Sequence, residues 1–160
     1  SGYKLNSQNI VESLQETLEA QDLDARNMEL EITENILMQD TSATIATLNS
    51  IKGMNFRVAM DDFGTGYSSL SYLTSFPVDT LKIDRSFVMG SMIKQNNLII
   101  IKAIIAMGHS LGKNIIAEGI ETEGQYQALK ELGCDDGQGY FFHHPVPAPE
   151  FEKPLVKGYL

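Results

Sequence analysis

The segment AMDDFGTGYSSL, residues 59–70, sets two carboxylates side by side at the end of an apolar run and follows them with a turn rich in glycine and hydroxyls. Adjacent strand residues point to opposite faces, so a regular strand could not aim Asp61 and Asp62 at one place, and their charges repel. The strand is therefore expected to end here. A bound cation or a shared proton would remove the repulsion, with Gly64 and Gly66 letting the backbone turn; a simple Asp-capped turn is the alternative. Asp61 has counterparts. Glu31, Lys82 and Glu118 fall on the same parity near the ends of three further strand-like runs, and Gln138 occupies a similar place on a fourth. Carboxylates without clustered His or Cys suit hard cations, Mg²⁺ or Mn²⁺, better than zinc. Two such ions about 3.5–4 Å apart clamp the attacking and leaving oxygens of a phosphoryl displacement. Lys82 would hold the attacking water or offset phosphate charge, and otherwise would form an ion pair with a neighbouring carboxylate.

These residues need elements to present them. Ile10, Val11, Leu14 and Leu18 lie at helical spacing behind Ser7, and MELEIT alternates with strand period. A helix through Ile45, Leu48 and Ile51 ends near Gly53, and FRVAMD reads as the second strand. A short helix in SSLSYLTSF stops before Pro77, DTLKID is a third strand, and residues 95–111 form a long apolar helix before Gly112. NIIAEG is the fourth strand, EGQYQALKEL a helix closed by Gly133, and GQGYFF the fifth strand, with a Pro-rich surface connection after it. Alternating helices and strands with short connections imply an α/β fold with a parallel sheet, doubly wound or part of a (βα)8 barrel. Leu30, Ile32, Val58, Met60, Leu81, Ile83, Ile115 and Ala117 form the parity suited to packing under helices. The other parity carries Glu31, Asp61, Lys82 and Glu118 toward the strand C-termini, where parallel α/β folds gather their sites.

Composition narrows the partners. The chain has 160 residues, 42% hydrophobic and 21% charged, which suits a soluble globular domain without a dividing linker or repeat. Its net charge of -9 argues against long nucleic acid and against direct contact with an anionic membrane, while leaving room for a small anionic ligand. The single Cys134 cannot pair internally, which points to a reducing, cytoplasmic setting. NLIIIKAIIAMG is too short to span a bilayer, and neither a signal-peptide pattern nor an initiating Met opens the chain. GHSLGKN departs from a phosphate loop in spacing and sits at a helix end. His143 and His144 are poorly spaced for joint ligation, His109 is expected to be structural, and Tyr67, Tyr72 and Phe76 to pack, with a base able to stack on an aromatic near the mouth.

EITE, DDFGTGYSSL, LKIDRSFV, IIAEGIET and GCDDGQGYFFHHPVP resemble, in order and spacing, the EAL domain family of bacterial phosphodiesterases that open cyclic di-GMP to the linear dinucleotide pGpG. The resemblance implies a modified (βα)8 barrel with two Mg²⁺ or Mn²⁺ ions. It assigns Glu31, Asp61, Asp62 and Glu118 as metal ligands, and Lys82 as the residue binding the catalytic water. It also gives catalytic support to Glu121 and Gln138, and makes Glu34 the anchor of the loop that carries Gly64, Thr65 and Gly66. That loop often forms the dimer contact. The Glu-Ala-Leu segment itself and the family's Asn-x-Ser asparagine are not found, and Asn35 stands where Ser or Thr is usual. With five strands, against about 250 residues for a full barrel, residues 1–160 read as the C-terminal two-thirds of one EAL domain, N-terminal strands missing. By itself the chain is expected to be an inactive, self-associating fragment that needs the missing N-terminal segment. The parent domain would be cytoplasmic, homodimeric or tethered to a membrane sensor. A non-catalytic cyclic di-GMP-binding module is the alternative. An enolase-like barrel also sets carboxylates on successive strands, but gives DDFGTGYSSL no role.

Overall fold

The structure, a computed structural model, describes residues 7–37, 41–66, 73–90 and 93–151. Helix α1 (Ser7–Gln21) leads through a 3₁₀ turn (Ala25–Asn27), whose Arg26 N–H donates to the Asp24 carboxylate, into β1 (Glu29–Thr33). Then follow α2 (Glu34–Leu37), α3 (Thr41–Gly53), β2 (Arg57–Phe63), β3 (Thr80–Ile83), α4 (Arg85–Val88) and α5 (Gln95–Ser110). β4 (Asn114–Ala117), α6 (Glu123–Glu131) and the two-residue β5 (Asp136–Gly137) complete the order. All five strands are parallel in one sheet, in the order of the chain. The expected α/β architecture with five parallel strands is the one found. Most of the short helix expected in 68–76, with Tyr67 and Tyr72, lies outside the described residues, while Phe76 is buried as expected.

Register aligns the apolar parity across the sheet: Ile32 pairs with Met60, Met60 with Leu81, and Leu81 with Ile115. Val58, Met60, Leu81, Ile83, Ile115 and Ala117 are each at most 1% exposed. Ile101, Ile104 and Ile105 of α5 join the same core, and Gly108 brings that helix against β4, because a Cβ there would collide with Ile115. Burying a branched aliphatic side chain of this size contributes about 1.5–3 kcal/mol, so this layer holds the sheet rigid beneath whatever its strand ends present.

Two sequence-based boundaries need correction. β2 does not end at Asp61 and Asp62 but continues to Phe63, with the register shifting between Met60 and Phe63 and Asp62 at φ +56°. A bulge, not a strand end, is the device that breaks the two-residue alternation. Asp is among the few residues other than Gly that enter this backbone region readily. The fifth strand is Asp136–Gly137 instead of residues 137–142, and Gln138 lies one position beyond it. The chain turns there because the Phe141 N–H donates to the Ile120 carbonyl and the Phe142 N–H to the Gly139 carbonyl. Phe141 and Phe142 then pack on Tyr126 with ring centroids 5.5 and 5.7 Å away, so aromatic residues that suggest a strand instead close a turn over α6.

Candidate active site

Lys82 organises the carboxylates. It is the third residue of the central strand, only 4% exposed, and its ammonium donates to Glu31 Oε1 at 2.6 Å and lies 2.7 Å from Glu118 Oε1 and 3.4 Å from Asp61 Oδ1. Glu31 comes from β1, Asp61 from the bulged end of β2, and Glu118 from the first position after β4, where its N–H donates to the Ile83 carbonyl. No two of these oxygens can be farther apart than the sum of their distances to that one nitrogen. Burial alone would depress the Lys82 pKa. The hydrogen bonds to Glu118 and Glu31, with the charges of Glu118 and Asp61, outweigh burial and push it up, so the side chain stays an ammonium at neutral pH.

The negative charge is only partly balanced. Asp62 has its pKa raised, first by burial and then by the charges of Asp61 and Asp84, against the smaller opposing pull of Lys82 and Arg85. Asp61 Oδ1 is buried and makes no hydrogen bond. Its charged neighbour is the Lys82 ammonium at 3.4 Å, an ion pair without a hydrogen bond, so the oxygen keeps capacity for a further cation. Among the described residues no three acidic, His or Cys side chains enclose a single point. Glu31, Asp61 and Glu118 close on the ammonium instead. Glu31 and Glu118 reach it through rotatable side chains, so they can exchange that partner for another cation without backbone movement. The donor set therefore fits hard cations: oxygen-only, net negative, with one buried oxygen free of hydrogen bonds.

The remaining predicted residues fall into two groups around this centre. Glu118, Glu121 and Gln138 line a cleft of about 220 Å³ with Arg85, Gly119, Gly139 and Tyr140. Gln138 is fixed there by its N–H to the Ala117 carbonyl and by the Ile120 N–H to its own carbonyl. On the other side Glu34 is buried at 1% exposure, accepts from the Gly64 N–H at 3.0 Å, and presses on Gly66, where a Cβ would stand 2.6 Å from Glu34 Oε1. Thr65 closes the turn by donating its hydroxyl to the Asp62 carbonyl at 2.9 Å. Sequence reasoning passed over Asp84 and Arg85, which contribute charge at Asp62. Asp84 also caps α4 by accepting from the Ser86 N–H, which from sequence alone reads as its whole role. His109 bonds Asp135 at 2.8 Å and His143 bonds the neighbouring carbonyl of His144, so neither histidine joins the carboxylates.

The family model described as the EAL domain matches residues 1–145. The chain belongs to the EAL domain family. Among curated relatives, the cyclic di-GMP phosphodiesterase NbdA of Pseudomonas aeruginosa is 41% identical over 149 residues, covering 93% of this chain and 19% of that protein. The chain spans about a fifth of the length of the curated relatives it matches. The crystal structure of the EAL domain of Mycobacterium smegmatis DcpA is 41% identical with a TM-score of 0.88, covering 96% of this chain and 69% of that one. Klebsiella pneumoniae BlrP1, solved as a manganese and cyclic di-GMP complex, is 30% identical with a TM-score of 0.79, covering 86% and 35%. The EAL fold of these neighbours is TIM-barrel-like, and the five parallel strands of this chain are part of that architecture.

Proposed function

We propose that this chain contributes the metal-binding half of a cyclic di-GMP phosphodiesterase site, in a single EAL domain to which residues 1–160 belong as its C-terminal portion. The observation that carries the reading is the convergence of Glu31, Asp61 and Glu118 on the buried Lys82 ammonium, with Asp61 Oδ1 ion-paired at 3.4 Å but not hydrogen-bonded. Glu31, Asp61, Asp62 and Glu118 would hold two Mg²⁺ or Mn²⁺ ions. When bound, the ions supply Lewis acidity toward the phosphodiester and lower the pKa of water near it. Lys82, held charged, acts as a hydrogen-bond donor that orients the attacking water and offsets phosphate charge, not as a general base. Glu121 and Gln138, at the cleft beside Glu118, meet the substrate. Glu34, Gly64, Thr65 and Gly66 hold the turn that carries Asp62.

The names of NbdA and of the BlrP1 complex support cyclic di-GMP as substrate and a divalent ion as cofactor. The presence of Glu31, Asp61, Lys82 and Glu118 together favours an enzyme over a binding module that has lost its chemistry. Among the described residues β1 and β5 are the two edges of the sheet, and the chain covers 69% of the solved DcpA chain. Both facts support turnover in an assembled domain and not in this stretch by itself; we further propose a cytoplasmic and dimeric parent protein. Among the described residues no helix is long and apolar enough to cross a membrane.

Chromatography of nucleotide products from the full-length protein tests the reading. Linear pGpG is expected with Mg²⁺ or Mn²⁺ and not with Ca²⁺, whose looser and larger oxygen shell misplaces the ligands. No linear product under either metal would overturn the enzyme reading. Asp61→Asn is expected to weaken metal binding and turnover together, whereas Lys82→Ala impairs turnover and leaves metal affinity intact or raised, because a competing cation is gone. Equal loss of metal in both variants would contradict these separate roles.

A further inference from the structure

We propose that Gln125, in the first turn of α6 and 1% exposed, is a positioning residue that sets Glu118 and Glu121 relative to Lys82. Its amide is saturated. The oxygen accepts from the Glu121 N–H at 2.7 Å and the Thr122 N–H at 2.9 Å, and the nitrogen donates to the Val88 carbonyl at 2.9 Å and to the Gly90 carbonyl. One side chain thus uses all four of its hydrogen-bond sites on backbone groups of two different segments. The first segment is the loop after β4, which carries Glu118 and Glu121. The second is the end of α4, the helix that begins at Arg85, three positions after Lys82.

The helix cap alone does not call for this residue. Thr122 and Gln125 form a capping box, and a glutamate at the same position would accept the Thr122 N–H equally well. Only an amide can also donate to Val88 and Gly90, and a carboxylate buried against those two carbonyls would be repelled by both. The choice of Gln over Glu is therefore explained by the bonds across to α4 and not by the cap. On its far side the same loop is bonded by backbone to the Gln138 segment, through the Ile120 N–H to Gln138 and the Phe141 N–H to Ile120. Residues 118–122 are pinned between the Lys82 side and the Gln138 side of the cleft, and Gln125 is the side-chain half of that pin.

The activity arm of the test rests on the proposed hydrolase reading, and the exchange arm does not. In the full-length protein, Gln125→Met keeps the volume and removes all four bonds. Gln125→Glu keeps the two acceptor bonds and removes the donors, and serves as the second variant if Met prevents folding. Thr122→Ala removes the other half of the cap while leaving the bonds to Val88 and Gly90. Hydrogen exchange in either Gln125 variant is expected to quicken across residues 118–122 with β2 and β3 unchanged. Misplacement at the reacting centre is expected to lower kcat for cyclic di-GMP about tenfold with KM within about twofold. Thr122→Ala is expected to lower the thermal midpoint without that loss of kcat. The proposal is overturned if the Gln125 variants leave exchange in 118–122 at the wild-type rate, or if Thr122→Ala lowers kcat as much at equal thermal stability. Should the wild-type protein fail to hydrolyse cyclic di-GMP, the hydrolase reading falls and the exchange result alone decides the role of Gln125.

Discussion

Asp62 stands at φ +56° with its pKa raised by burial and by the charges of Asp61 and Asp84, so in the ionised form it works against folding. A carboxyl whose folded pKa is raised imposes its full cost above that pKa, and the cost fades as pH falls toward the ordinary carboxylate range. Asn enters this backbone region as readily as Asp and carries no charge. Asp62→Asn is therefore expected to raise the thermal midpoint at pH 7 in metal-free buffer, with the gain shrinking toward pH 4. It is also expected to cut the further rise produced by Mg²⁺, since a ligand that binds only the folded state at 100 times its Kd adds about 2.7 kcal/mol. A variant less stable than wild type at pH 7, or stabilised by Mg²⁺ to the same degree, would refute both parts. Cys134 gives a second test. Burial first, with the charges of Asp135 and Asp136 adding to it, pushes its thiol up to about 11, so at pH 8 about one molecule in a thousand carries the thiolate. Alkylation by iodoacetamide should climb about tenfold per pH unit to near pH 11; a plateau above pH 9 would show an ordinary exposed thiol. Residue by residue, the sequence revealed Glu31, Asp61, Lys82 and Glu118 because chemistry and parity coincide there. Asp84 and Gln125 were hidden because each is also an unremarked helix cap, and only the folded chain shows what else a cap touches.

Elements were legible where one periodicity governs them. α5 and α6 follow from helical spacing closed by Gly112 and Gly133, whose φ values of +66° and +83° favour the residue found there. β2 and β5 were misjudged where a local device overrides the alternation: a bulge at Asp62, and a turn after Gly137 whose aromatics imitate strand composition. Gly139 is that turn's key residue, because a Cβ on it would collide with the backbone oxygen and nitrogen of Ile120. Backbone cannot yield as a flexible side-chain tip does. Gly139→Ala is expected to cost about 2 kcal/mol or more in chemical denaturation, and to displace Gln138 from the cleft. Gly124, in the first turn of α6 with open space where its Cβ would be, gives the contrast. Gly124→Ala is expected to gain about 0.5–1 kcal/mol. Similar destabilisation by both substitutions would mean that general helix and loop sensitivity, not the Ile120 contact, sets the cost.

At the scale of the whole molecule, strict alternation of helix and strand dictated a parallel sheet, and the sheet runs in chain order with each strand beside the next. What alternation could not say is how its edges are managed. β5 offers only two residues as an edge, which limits pairing with another chain, whereas β1 offers five, bounded by Met28 at 40% exposure and near Leu23 at 45%. A strand of that length with unpaired backbone groups is a template for association. Opposing it is the net charge of -9, which makes two copies repel. These two effects respond differently to salt. The repulsion reaches about 30 Å at 0.01 M ionic strength and only about 3 Å at 1 M, while backbone pairing and apolar contact are little screened. The 160-residue chain expressed by itself should therefore scatter light as a monomer in dilute buffer and as dimers or larger species when NaCl is raised, at constant protein concentration. Lysine placed at the exposed residue flanking the edge strand, as Met28→Lys, should keep it monomeric in high salt, since a charge at a strand edge is a common means of blocking such pairing. A mass that falls as salt rises would show that ion pairs hold the copies together and would remove the β1 edge from the explanation.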